Sequence, residues 1–163
     1  MGNYASAIKE LAGGRNPAAL GRRVFREGAL ADIEGAGDVD LFQVSGGEVI
    51  ITMMYGKGTA LITGALTTHP MHVPVSNATA TDMCAISLTL EAGVVDDIFS
   101  WDGLITDALE ITGTGIGTPF SANTLILVPG TIILRTAVAA TVGAIDWILH
   151  YIPIDKRAVV NAL

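Results

Sequence analysis

Apolar and polar positions alternate with turn residues from Leu41 to Thr63, and this stretch predicts three short strands joined by two glycine turns. Gly46-Gly47 and Gly56-Lys57-Gly58 supply the positive φ values that tight reversals need. Between them Val49, Ile51, Met53 and Tyr55 share one face of an extended chain. Cys84, Ile86, Leu88 and Leu90 alternate with Ala85, Ser87, Thr89 and Glu91, a period of two that predicts a strand with Cys84 on its core side. Ile98 to Trp101 predicts another strand, ended by the turn pair Asp102-Gly103, after which Leu104 to Leu109 reads as one helical turn or a strand end. Thr112 to Pro119 reads as a flexible connection. Leu125 to Val128 and Thr131 to Thr136 predict a hairpin-like pair about Pro129-Gly130, and Ala137 to Ala140 a loop or an edge. The last strand, Ile145 to Tyr151, places Ile145, Trp147, Leu149 and Tyr151 on one face.

Before residue 37 the pattern differs. Tyr4, Ile8 and Leu11 recur at i, i+4 and i+7, Asn16-Pro17 reads as an N-cap followed by proline at the first helical position, and Leu20 and Val24 recur four apart. Two short helices follow, over residues 3–12 and 17–27, each too short to be stable in water without packing on something. Residues 28–38, rich in glycine, alanine and acids, read as a linker or a poorly formed edge strand. The expected organisation is an N-terminal arm over residues 1–36 and a body over 37–163. Short strands punctuated by Gly and Pro make that body an all-β, antiparallel, jelly-roll-like β-sandwich.

An antiparallel strand with one wet side should be apolar on one face only. Here Val49-Ile50-Ile51 and Ile132-Ile133-Leu134 are apolar on both, and the second face of the last strand carries Ile148 and Ile152 beside Asp146 and His150. Ile50, Ile133, Ile148 and Ile152 are therefore the expected subunit interface: something outside a lone sandwich covers them, either another copy or the arm. Half of the residues are hydrophobic and only 15% are charged, which strengthens the same expectation.

The segment Leu41 to Ile51 with its glycine turn, Thr81-Asp82-Met83-Cys84-Ala85, and the closing Gly143 to Asp155 resemble small structural proteins of tailed bacteriophage virions, a likeness that spans Val39 to Val160. The resemblance implies a capsid decoration, or cement, protein: a homotrimer on the outer surface of the capsid that binds the major capsid protein between capsomers, with the host cytoplasm as the place of assembly. The arm, through Tyr4, Ile8, Leu11, Arg15, Leu20, Arg22, Arg23, Val24, Phe25 and Arg26, would then lie across the capsid protein or an adjacent trimer. The alternatives are another virion part, such as a tail or fibre adaptor, and a carbohydrate-binding module on the same fold.

Charge sharpens the division between arm and body. The net charge of −7 splits into five bases against two acids over residues 1–27, or +3, and four bases against fourteen acids in the rest, or −10. Phosphate would repel such a body, so the arm is expected to dock on protein and to make no direct contact with nucleic acid. The uncharged runs Gly58 to Thr81 and Ile111 to Leu134 are broken by Gly, Pro, Thr and Ser, which argues against membrane spans. No charged and then apolar leader opens the chain, which predicts no signal peptide. A single cysteine, Cys84, fits a reducing compartment and a core position rather than a nucleophile.

Candidate chemistry is sparse. His69 and His72 are three apart but flank Pro70, so a polar loop is expected in place of a metal site. Asp96, Asp97, Asp102, Asp107 and Glu110 form an acidic run without a calcium-loop pattern and read as a solvated loop. The glycines from Gly113 to Gly117 lack the Lys-Ser/Thr of a phosphate loop. Trp101, Trp147, Tyr55 and Tyr151 could line a sugar platform, although Trp147 in mid-strand reads as core. No Ser/His/Asp signature or metalloprotease motif is present, so no catalysis, cofactor or metal is expected.

Overall fold

The computed structural model describes residues 21–29, 32–87, 90, 93–101, 103–116 and 124–163. The described chain is all-β. Its strands are β1 (Arg22–Arg26), β2 (Gly37–Ser45), β3 (Val49–Thr63), β4 (Thr67–Pro74), β5 (Thr81–Asp82), β6 (Asp97–Ser100), β7 (Glu110–Thr114), β8 (Leu125–Leu127), β9 (Gly130–Val138), β10 (Val142–Pro153) and β11 (Val159–Ala162). They form two antiparallel sheets. Sheet A has the order β1-β10-β3-β6-β7, with β8 also on β3, and sheet B the order β11-β2-β9-β4-β5.

Both sheets contribute to one core, as expected of a β-sandwich. Ile51, Met54, Phe99, Trp147 and Leu149 enter it from sheet A, and Phe42, Val44, Ile132 and Leu134 from sheet B. In β10 the inward set is the alternation expected from sequence: Ile145, Trp147, Leu149 and Tyr151 are all buried in that core. Cys84 is also fully buried there, and its burial, with the nearby Asp82 charge, pushes the thiol up to about 12.

Several local expectations are corrected. The turn at Gly46-Gly47 exists, with φ of +74° and +145°, but it carries the chain from sheet B to sheet A and so does not close a hairpin. No turn occurs at Gly56-Lys57-Gly58, because β3 runs straight through. Those glycines serve close packing: a Cβ at Gly56 would lie 2.6 Å from Ile145 Cγ2, and one at Gly58 would lie 2.7 Å from the Val94 carbonyl. The face assignment of β3 also changes midway. Ile51 pairs with Tyr151 and Met53 with His150, so Thr52 is an extra residue, and Met54 instead of Met53 enters the core.

Likewise Leu125–Leu127 and Gly130–Val138 belong to opposite sheets, β8 on β3 and β9 between β2 and β4. Leu127 and Ile132 both join the core, which Pro129-Gly130 allows by bridging the two layers. The expected strand after Cys84 is irregular. Met83, Ser87 and Leu90 donate to the carbonyls of Pro70, Thr68 and Leu66, while Ala85 turns to the Asp107 carbonyl, so Ser87 is buried and Ile86 exposed. Thr112 to Thr114, expected to be a flexible connection, lie in β7 paired to β6. Leu104 to Asp107 form a turn.

The largest revision concerns the arm. Residues 22–26, expected to be helical, form β1, antiparallel to β10 with Arg22 opposite Tyr151 and Arg26 opposite Trp147. Tertiary pairing overrides the local helical spacing here: without β1, the twelve-residue β10 would be an exposed edge. The expected helix over 3–12 and the start of the second lie outside the described residues. Asp32 and Ile33 pack into the body, with Ile33 fully buried and its carbonyl accepting from Ala140, while residues 34–36 stay exposed.

Candidate interaction surfaces

Charged side chains at the rim fasten the edges of the sandwich. The Arg26 guanidinium pairs with the Asp32 carboxylate, and Arg26 Nε donates to the Leu163 carbonyl at 3.1 Å, tying β1 to the end of β11. Burial alone would raise the Asp32 carboxyl, but hydrogen bonds from Arg26 and the Ala29 N–H outweigh it and hold the carboxyl below its usual range. Arg26, Arg22 and Val24, expected in a docking arm, thus belong to the body, with Val24 packed against the core.

The outer face of sheet A is unusual in its composition. Three rows cross it in register: Phe25, Ile148 and Tyr55; Arg23, His150 and Met53; and Ile152, Ile50 and Ile126. Ile148 is only 3% exposed, because it is flanked by Phe25 and Tyr55 on the paired strands. Ile50 and Ile152 are half-buried, Phe25 is 45% exposed and Ile126 63% exposed. Arg23 stacks over the Phe25 ring at 5.7 Å. His150 lies amid this apolar surface with its Nδ1 buried and lacking a hydrogen-bond partner among the described residues. Burial and the Arg23 charge both lower its pKa, which favours the neutral ring.

Sheet B presents a different outer face. Ile133 and Met71 sit side by side, each 5% exposed, with Asp40 on the strand beyond Ile133 and Asp82 on the strand beyond Met71. Next to them Arg135 holds Asp38 through two hydrogen bonds of 2.7 and 2.6 Å, which lowers the Asp38 carboxyl, and His69 Nε2 lies 3.0 Å from Asp82 Oδ1. Sheet A is therefore the greasier exterior, and sheet B is rimmed by charge. Of the four expected interface residues, Ile50 and Ile152 retain accessible surface while Ile133 and Ile148 are shielded within the chain. Tyr4, Ile8, Leu11, Arg15 and Leu20 lie outside the described residues.

Ile126 was not among the surface residues expected from the sequence, and Tyr55 was expected only as part of a sugar platform. The signal for Ile126 was present in Leu125-Ile126-Leu127-Val128, which is apolar on both faces like Val49-Ile50-Ile51.

The remaining polar groups are occupied with structure. His69 and His72 are strand residues of β4, not a polar loop, and each is about as buried as the neighbouring apolar residues. They point to opposite faces, His69 beside Arg135 and His72 beside Ile132, so they cannot share an ion. Asp97, expected in a solvated loop, is 5% exposed and accepts from the Val94 N–H at 2.7 Å and the Thr114 hydroxyl. Asp96 pairs with Lys57 at 2.7 Å. Among the described residues no cluster of three or more His, Cys, Asp or Glu could hold a metal ion, and no helix is long and apolar enough to cross a membrane.

An open groove of ≈ 450 Å³ is lined by Ser100, Trp101, Thr106, Asp107, Ala108, Glu110 and Thr112. Its indole is 3% exposed, and Trp147 and Tyr151 are in the core, so these three rings offer no flat platform to a sugar. Compared with known proteins, the chain matches no family model, no curated protein and no solved structure.

Proposed function

We propose that this chain is a structural, non-catalytic building block that works in association with copies of itself, as a capsid decoration protein of a tailed bacteriophage. The observation that carries the reading is the outer face of sheet A, where aromatic and branched apolar side chains occupy matched positions on four paired strands. A lone sandwich leaves that face wet. A neighbouring copy buries what remains accessible, chiefly on Phe25 and Ile126, and each contributes up to about 1.5–3 kcal/mol, scaled by the area it still exposes. The jelly-roll-like sandwich, trimeric state and placement between capsomers on the outer capsid surface follow from the family resemblance of residues 39–160.

In this reading the mechanism is mass action: the protein binds the assembled shell and not the dispersed capsid subunits, and so stabilises the shell by the free energy of binding. The partly apolar N-terminal segment reaches a protein neighbour, and the acidic body disfavours contact with nucleic acid. The test is co-sedimentation of the purified full chain with empty capsids of a tailed phage and, in parallel, with immobilised glycans. Saturable binding to capsids at a copy number divisible by three supports the reading. Binding to glycans alone would replace it with a carbohydrate-binding role, and binding to tails alone with an adaptor role.

A further inference from the structure

We infer that copies of the chain join through opposite edges of sheet A, the basic β1 edge of one copy seating on the acidic groove beside β7 of the next. This rests on the self-associating reading proposed above and names the two patches which that reading requires. A threefold assembly cannot use one self-complementary patch, so two different surfaces of each copy must meet.

The two edges carry opposite charge. β1 ends sheet A on one side and β7 ends it on the other. Between Lys57 and Arg135 the chain holds seven acids and no lysine or arginine, and this stretch contains β6, β7 and the turn that joins them. The groove of ≈ 450 Å³ opens there: Phe99 is buried in the core, so its neighbour Ser100, and Glu110 paired with Ser100, face outwards, and Thr106, Asp107 and Thr112 add to the lining. Carboxylates and hydroxyls suit a guanidinium, and no cation of the same chain fills the place. At the other edge Val24 packs against the core, so Arg23 and Phe25 face outwards on the same side of the sheet as the groove. Among the described residues Arg26, Lys57 and Arg135 are each paired with a carboxylate, whereas Arg22 and Arg23 are exposed and have no ion-pair partner. The outward rows that begin at Arg23 and Phe25 continue through His150 and Met53 and through Ile148 and Tyr55, with no carboxylate in either. The acids at that edge, Glu27 and Asp32, lie past its far end, where Arg26 takes up Asp32. Arg23 over the Phe25 ring thus makes a projecting pair that matches the groove: the cation meets Asp107 and Glu110, and the ring, 45% exposed, meets the wall at Ala108.

The test is sedimentation velocity of the full chain over a range of concentrations, comparing wild type with Arg23→Glu, Glu110→Arg and the two changes combined in one chain. Asp40→Arg, on the outer face of sheet B, is the control. Each single reversal sets like charges together and should weaken association about tenfold or more. The combined variant restores the pair with its signs exchanged and should associate within about threefold of wild type. β1 and β7 are four strand spacings apart, about 19 Å, so no contact within one chain can produce that rescue. Arg23, Glu110 and Asp40 are exposed, and β-sheet circular dichroism checks that each variant is folded; Arg23→Gln and Glu110→Gln should weaken association in the same direction and replace a reversal that misfolds. Association unchanged by the single reversals, weakened equally by Asp40→Arg, or no better in the combined variant than in the singles would overturn the pairing and leave self-association standing. A wild-type protein that is a single chain at every concentration would overturn both.

Discussion

Placing a single methyl at Gly56 tests whether β3 runs through the sandwich without a turn. Gly56 lies on the core side of β3, opposite Trp147 on one side and Phe99 on the other. A Cβ there would approach Ile145 Cγ2 to 2.6 Å, Phe99 Cβ to 3.3 Å and Trp147 Cη2 to 3.4 Å. Ile145 is β-branched and buried, so its Cγ2 cannot rotate away without leaving its rotamer well. Overpacking of this kind costs about 1–3 kcal/mol, whereas exchanging glycine for alanine in a strand recovers about 0.5–1 kcal/mol of chain entropy. The net for Gly56→Ala is a loss of about 1–2 kcal/mol, or a fall in Tm of about 2–8 °C for a chain of this size.

Gly35→Ala is the matched control. Its Cβ would meet nothing within 4 Å and its φ is not positive, so it should be neutral or stabilising by up to about 1 kcal/mol. Urea unfolding followed by the fluorescence of buried Trp101 and Trp147 measures both. A Gly56→Ala protein as stable as wild type would refute the packing argument and restore the turn expected from Gly56-Lys57-Gly58.

Four further outcomes follow from the same structure. His72 and His150 have lowered pKa values in the folded state, chiefly from burial. Their contribution to stability is therefore full above the unfolded value of 6.5 and is lost as pH falls below it; the urea midpoint should drop between pH 7.5 and 5.5, less so in His150→Gln, and an unchanged midpoint would contradict the burial of both rings. Asp32 and Asp38 are depressed, so a second loss should follow below their unfolded value of 3.8. Cys84 should not react with a thiol reagent at pH 8 until the protein unfolds, and rapid labelling of the native state would contradict its position in the core. Asp97→Ala should cost about 1–3 kcal/mol by leaving the Val94 N–H and Thr114 hydroxyl without an acceptor, as read by the shift in urea midpoint; no shift would show that water replaces the carboxylate.

The sequence made the fold class and the inward face of β10 legible because period-two alternation is a local property. Ile145, Trp147, Leu149 and Tyr151 needed no tertiary knowledge to be placed. What escaped depended on partners distant in sequence. Arg22 to Arg26 have a helix-compatible spacing and become a strand only because β10 offers an edge. Gly56 and Gly58 look like a turn until the contacts with Ile145 and Val94 are known. The Pro129-Gly130 turn is locally identical whether it closes a hairpin or crosses between sheets. Surface apolarity was legible as composition, yet its division was not: Ile133 and Ile148 are covered by cross-strand neighbours, while Ile126, in a three-residue strand, is the most exposed of the sheet A rows.

The account depends most on whether the outer face of sheet A is covered by another copy of the chain. Sedimentation equilibrium of the full chain over a hundredfold range of concentration measures this directly, with Phe25→Asp as the comparison. A particle of three times the 16.9 kDa chain mass, reduced to single chains by Phe25→Asp with the β-sheet circular dichroism retained, is the predicted result. A wild-type protein that remains a single chain at the highest concentration would contradict it.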